Sequence, residues 1–167
     1  MIKAVLFDLG DTLIDERVVS GRHLWEGTLH KLPFAQEVLS ELKMRGYKLG
    51  LVTNTVTSRE AHVRTAIRRI GLEQFFDAII TSVDLGFPKP DPRIFLTALR
   101  ELEVKPEEAV MVGNRIDTDI LGGNQAGMKT ILLKWNERHQ QEASRPGEAP
   151  TRTISSLTEL PKALSEL

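Results

Sequence analysis

Apolar and polar positions along the chain follow two periods in alternation. Short apolar runs near 3–8, 48–53, 78–82, 109–113 and 129–133 read as buried strands. Between them lie segments with helical spacing. Ala35, Val38, Leu39 and Leu42 form an i, i+3, i+4, i+7 stripe, with Gly46 as the stop. Val63, Ala66, Ile67 and Ile70 repeat it, opened by Ser58 and closed by Gly71. Phe95, Ala98, Leu99 and Leu102 form a third stripe, whose start is marked by Asp91 as N-cap and Pro92 in the first helical position. Strands alternating with helices predict an α/β fold with a parallel sheet covered on both faces. The polar stretch 134–152, rich in Gly, Pro, Ser and Glu, predicts a mobile loop. After it, Thr153-Ile154 predicts an edge strand and Leu157 to Leu164 a terminal helix.

The ends of these runs carry the chemistry. The first empties into Asp8-Leu9-Gly10-Asp11-Thr12, the second into Thr53-Asn54-Thr55, and the fourth into Gly113-Asn114, with Asp117 and Asp119 following. Lys89 stands between Pro88 and Pro90. In open α/β sheets ligands bind beyond the carboxyl ends of the strands. Carboxylates, hydroxyls and one compact cation gathered there suit a phosphoryl group held with a divalent metal. They offer hard oxygens to Mg²⁺, donors to the phosphoryl oxygens, and a positive charge to offset the negative one.

Composition narrows the field. At 167 residues the chain is expected to form one domain, 1–167. With 22 basic and 23 acidic residues, its net charge of -1 provides no global field toward nucleic acid or an anionic membrane. The absence of cysteine excludes disulfides, thiolate catalysis and a Cys-ligated zinc. No signal peptide and no long apolar span is legible, so the expected compartment is the cytoplasm.

Four motifs in order, FDLGDTL with Asp8, LVTNT with Thr53, GFPKPDPRIF with Lys89 and VGNRIDTDI with Asn114 and Asp119, resemble the haloacid dehalogenase (HAD) superfamily of phosphohydrolases over Ile2 to about Leu133. The resemblance implies a Rossmann-like, doubly wound parallel sheet of strand order 3-2-1-4-5, with the first and fourth strand ends side by side at the switch point. Family members insert a cap domain either after the first motif or between the second and third. Here Asp8 and Thr53 are 45 residues apart, and Thr53 and Lys89 only 36. Neither gap holds a domain, so a capless member is expected, with 15–32 as a short flap. The open site would then be covered by a large substrate, by another copy of the chain, or not at all.

By the same resemblance Asp8 is the nucleophile and becomes an aspartyl phosphate. Thr53 and Lys89 bind the phosphoryl oxygens, and Asn54 beside them counts as a substrate-binding residue. Mg²⁺ takes a carboxylate oxygen of Asp8, the carbonyl of Gly10 and the side chain of Asn114, with Asp119 close by or bridging through water. Asp117 reads as the N-cap of the next helix. Arg17, Arg22 and Arg115 are candidates for the leaving group, Arg115 first. The ligand is expected to be a small phosphate ester.

Two positions depart from the family pattern. The acid two residues after the nucleophile, which protonates the leaving group and then activates water, is replaced by Gly10, with Asp11 one residue further on as a displaced substitute. Asn114 stands where the family usually has Asp, so the metal site loses one negative charge. Two other readings follow: a metal-independent 2-haloacid dehalogenase with the same nucleophile, and a slow-turnover phosphoacceptor or partner-binding module. His23, His30, His62 and His139 read as surface residues, Trp25 as a packing aromatic, and Gly122-Gly123 as a site of close helix-on-sheet packing.

Overall fold

The apolar run Ala4–Phe7 is fully inaccessible to solvent on both faces, the condition of a central strand in a parallel sheet. The computed structural model describes residues 1–18 and 26–167. Strands β1 (Ala4–Phe7), β2 (Lys48–Thr53), β3 (Ala78–Thr81), β4 (Ala109–Gly113), β5 (Lys129–Leu133) and β6 (Arg152–Ile154) form one sheet in the order β3-β2-β1-β4-β5-β6. Every pairing is parallel. The expected five-strand order holds, and the Thr153-Ile154 segment adds the sixth strand at the edge.

Alternation along β1 sorts the core into two layers. Val5 and Phe7 pack with helices α1 (Ala35–Met44), α2 (Glu60–Arg69) and α6 (Leu160–Ser165). Ala4 and Leu6 pack on the other face with α4 (Pro92–Glu101). A four-residue helix, α3 (Ser82–Leu85), follows β3, and α5 (Leu121–Gln125) continues from a π-helical turn over Ile116–Ile120. The glycine pair permits the expected close approach: a β-carbon at Gly122 would lie 2.4 Å from the Phe95 ring, and one at Gly123 2.8 Å from Thr130.

Helix starts follow the sequence in α4, where the Asp91 carboxylate accepts the Arg93 N–H at 3.0 Å. They depart from it in α2. Ser58 is not the cap there; the cap position is Arg59, and the Asp84 carboxylate accepts the Glu60 N–H at 2.7 Å. A cap supplied from a distant residue leaves no mark in the local sequence. Asp117 likewise is no N-cap, since that position belongs to Arg115 and Asp117 lies inside the turn.

The expected flap and loop fare differently. Residues 19–25, with Arg22, His23 and Trp25, lie outside the described residues; the ends of the flap are a short 3₁₀ turn at Glu16–Val18 and the buried Leu29 and Leu32. The 134–152 stretch is tied to the body. The Trp135 indole N–H donates to the Asp11 carbonyl at 2.6 Å, and Asn124 Nδ2 donates to the carbonyls of Gly147 and Ala149. Among the described residues no helix is long and apolar enough to cross a membrane.

Candidate active site

Beyond the carboxyl ends of β1, β2 and β4 a cleft is lined by Asp8, Gly10, Thr53, Asn54, Lys89 and Asn114, joined by Glu16, Arg115, Thr118 and His139. Asp8 leaves β1 with its N–H bonded to the Val112 carbonyl at 3.0 Å, which fixes the first strand end against the fourth. The Thr12 hydroxyl lies 3.4 Å from both Asp8 Oδ2 and Asn114 Oδ1, so these two oxygens converge as the strand order implied.

Lys89 organises the buried side. Its side chain is 2% exposed, and Nζ donates to Asp8 Oδ1 at 2.7 Å, Asp119 Oδ1 at 2.7 Å and the Val52 carbonyl at 2.9 Å. Three acceptors satisfy all three ammonium protons. Burial, the largest single influence, pulls its pKa down, but Asp119 and then Asp8 more than offset it and hold the ammonium above the ordinary lysine value. Asp119 is pushed up to about 6, chiefly by burial, against the pull of Lys89 and with a further upward push from Asp8.

Asp119 does not line the cleft. One of its oxygens is taken by Lys89 and the other accepts the Arg115 N–H at 3.1 Å. Asn54 is similarly committed: its side chain accepts the Lys89 N–H at 2.8 Å and donates to the Lys89 carbonyl at 3.0 Å. It positions the lysine while still lining the cleft, with one amide N–H left over. The Arg115 guanidinium borders the cleft with Nε and Nη2 on Asp117, at 3.1 and 2.7 Å. Arg17 is paired with Asp15 and lies over the Trp135 ring.

On the opposite side the chain turns sharply after Gly10, with Asp11 in the left-handed region at φ 54°. The Asp11 carboxylate does not itself line the cleft, although it lies within 4.8 Å of ligand atoms of Glu16 and His139, which do. Asp11 Oδ1 accepts the Glu16 N–H at 3.0 Å, and Oδ2 pairs with Arg138 at 2.8 Å. Glu16 enters the cleft instead. Burial, then the nearby Asp8 and Asp11 carboxylates, raise its pKa above the ordinary glutamate value. His139, read from sequence as a surface residue, also borders the cleft. Glu16 and His139 carry no motif signal, because each arrives on a loop whose path is set by distant contacts.

Two donor sets bear on a cation. Asp8, the Gly10 carbonyl and Asn114 present a carboxylate, a carbonyl and an amide oxygen to one cleft, all hard donors of the kind Mg²⁺ takes. Ligand atoms of Asp11, Glu16 and His139 also lie within 4.8 Å of one another. There, however, Arg138 already supplies positive charge, 2.8 Å from Asp11 and 4.0 Å from Glu16. The first set fits the metal better.

Comparison with known proteins agrees with this architecture. Residues 22–133 match the model of the haloacid dehalogenase-like hydrolases. A glyceraldehyde 3-phosphate phosphatase of Methanothermobacter thermautotrophicus is 43% identical over 63% of this chain and 45% of its own, and the pyrophosphatase PpaX of Bacillus mycoides is 40% identical over 66% and 50%. The chain thus spans about half the length of these relatives. A solved structure of an uncharacterized protein from Listeria monocytogenes serotype 4b superposes with a TM-score of 0.84 at 31% identity, covering 99% of this chain and 98% of the other. With the motif residues gathered at the strand ends of the matching fold, the chain belongs to the haloacid dehalogenase-like hydrolase family.

Proposed function

We propose that the protein is a phosphohydrolase that cleaves small phosphate monoesters through an aspartyl phosphate on Asp8, without a cap inserted between its motifs. The observation that carries this reading is the placement of the Asp8 carboxylate at the end of β1, its Oδ1 2.7 Å from a buried, fully hydrogen-bonded Lys89. An ammonium so placed lowers the cost of bringing a phosphate dianion against the nucleophile. The names of the two relatives, a phosphatase of a three-carbon phosphate and a pyrophosphatase, support a small phosphorylated substrate.

Each residue then has a part. An oxygen of Asp8 attacks phosphorus, and the ester oxygen leaves with the bonding electron pair. Thr53, buried at the end of β2, donates its hydroxyl to a phosphoryl oxygen while Lys89 balances charge. Asn54 and Asp119 hold Lys89 in place from its main chain and its ammonium. Asp8, the Gly10 carbonyl and Asn114 would hold Mg²⁺, which when bound draws charge from the phosphoryl oxygens. Asn114 gives that site one negative charge fewer than a carboxylate would, so the metal is expected to bind more weakly and to be removed readily by a chelator.

Hydrolysis of p-nitrophenyl phosphate and of a panel of small phosphate esters, with Mg²⁺ and with EDTA, tests the reading. Turnover should require Mg²⁺ and vanish in Asp8→Asn. Chelator-insensitive turnover, or full activity in Asp8→Asn, would sink it. Halide release from a 2-haloacid without Mg²⁺ would establish the dehalogenase reading in its place.

A further inference from the structure

The position at which this chain lacks an acid is filled in space by another residue. A β-carbon at Gly10 would lie 1.8 Å from Glu16 Oε1, 2.3 Å from its Cδ and 2.7 Å from its Cγ. The Glu16 carboxylate therefore occupies the volume into which a side chain at position 10 would project. Gly10 is not in the left-handed region, so nothing in its backbone demands glycine. The three atoms nearest to such a side chain all belong to the end of Glu16.

Glu16 is aimed by identifiable contacts. Its N–H is held by Asp11 Oδ1 at 3.0 Å, and Arg138 stands 4.0 Å from its Oε2. Asp11, the sequence-adjacent substitute, has both oxygens engaged and does not line the cleft, whereas Glu16 does. Its side chain is 48% exposed, leaving it open both to a leaving group and to water.

We propose that Glu16 is the general acid and base of this protein, taking over by a six-residue displacement the task for which position 10 carries no side chain. The inference rests on the phosphohydrolase reading above. In the first step Asp8 forms an O–P bond, the ester P–O bond breaks, and the departing oxygen takes the proton from the Glu16 carboxyl. In the second, water gives a proton to the Glu16 carboxylate and attacks phosphorus, and the P–O bond to Asp8 breaks to return the free carboxylate. The balance is ester and water to alcohol and phosphate, with Glu16 restored to its starting state.

The test compares p-nitrophenyl phosphate, which leaves with little proton assistance, with an alkyl phosphate such as glycerol phosphate, which needs it. Glu16→Gln should lose about 10²-fold or more in kcat on the alkyl ester and only a few-fold on the first step of the nitrophenyl ester, measured in a single turnover. Gly10→Asp combined with Glu16→Ala should recover much of the loss, since removing Glu16 vacates the space an aspartate at position 10 needs; a purely structural role for Glu16 would not be rescued in this way. An equal loss on both esters, no loss, or a leaving-group dependence that follows His139→Asn in place of Glu16→Gln would overturn the proposal. If Asp8→Asn hydrolyses both esters as well as the parent, the phosphohydrolase reading has failed; if hydrolysis depends on Asp8 and not on Glu16, only this inference has.

Discussion

At the strand ends Asp8, Thr53, Lys89 and Asn114 are each less than a tenth exposed, whereas across the cleft Glu16 and Arg138 stand on loops with side chains 48% and 39% exposed. The buried side is held by the sheet: β1 pairs with β2 and β4, and Lys89 ties Asp8 to Asp119 and to the Val52 carbonyl. The open side is held by single contacts between two loops, Arg138 to Asp11 and Trp135 to the Asp11 carbonyl. In the proposed reaction the first side provides the nucleophile and charge balance, which must stay fixed. The second provides the proton, which must exchange with water. A substitution on the buried side should therefore cost activity and much stability together, and one on the open side mainly activity.

The largest effect belongs to Asp8→Asn, expected to lower kcat by at least about 10⁴-fold in steady-state assays, as for loss of other covalent nucleophiles. Next comes Lys89→Met. It removes a charge stabiliser, worth about 10²- to 10³-fold in kcat, and strands two carboxylates, costing about 3–5 kcal/mol in denaturant unfolding. A Lys89→Met protein as stable as the parent would break the comparison at its firmest point. Thr53→Ala removes one donor to a charged oxygen and should cost roughly tenfold in kcat/KM. Arg138→Ala should slow turnover a few-fold and cost about 1–3 kcal/mol of stability, less than Lys89→Met, because it leaves one buried carboxylate, Asp11, with only the Glu16 N–H as partner. Equal stability losses for Lys89→Met and Arg138→Ala would erase the distinction between the two sides.

The smallest effect lies furthest from the chemistry. The Ser144 N–H first, then Arg145, hold the Glu148 pKa down to about 2 against an ordinary 4.5. A depressed carboxylate contributes stability that is present above its unfolded value and lost as pH falls through its folded one. Glu148→Gln should therefore flatten the acid limb of the stability profile between about pH 4.5 and 2.

The buried side was legible in sequence because strand ends announce themselves. An apolar run that stops at Asp8, Thr53 or Asn114 places those residues at one edge of a parallel sheet once the strand order is known, and helix stripes such as Ala35, Val38, Leu39 and Leu42 place the layers. Finer roles were hidden by long-range pairing. Asn54 and Asp119 carry the right chemistry for substrate and metal, yet their hydrogen bonds go to Lys89 and the Arg115 N–H. The open side was illegible for a related reason. Asp11 is nearest in sequence to the missing acid, but its oxygens are taken by the Glu16 N–H and Arg138, and Glu16 returns to the gap through a turn held by Arg138, 122 residues further along the chain. A signal was nonetheless present: a glycine where an acid is expected, followed within one short turn by the run Asp15-Glu16.

In the proposed reaction the buried side makes a phosphoenzyme and the open side resolves it. Acid-quenched mixing of Glu16→Gln with p-nitrophenyl phosphate and Mg²⁺, followed by mass analysis of the peptide containing Asp8, tests it most directly. Phosphate is expected on Asp8 at close to one per protein within the burst, with less in the parent under the same conditions and none in Asp8→Asn. Release of nitrophenol with no phosphate on that peptide, or phosphate on another residue, would contradict it.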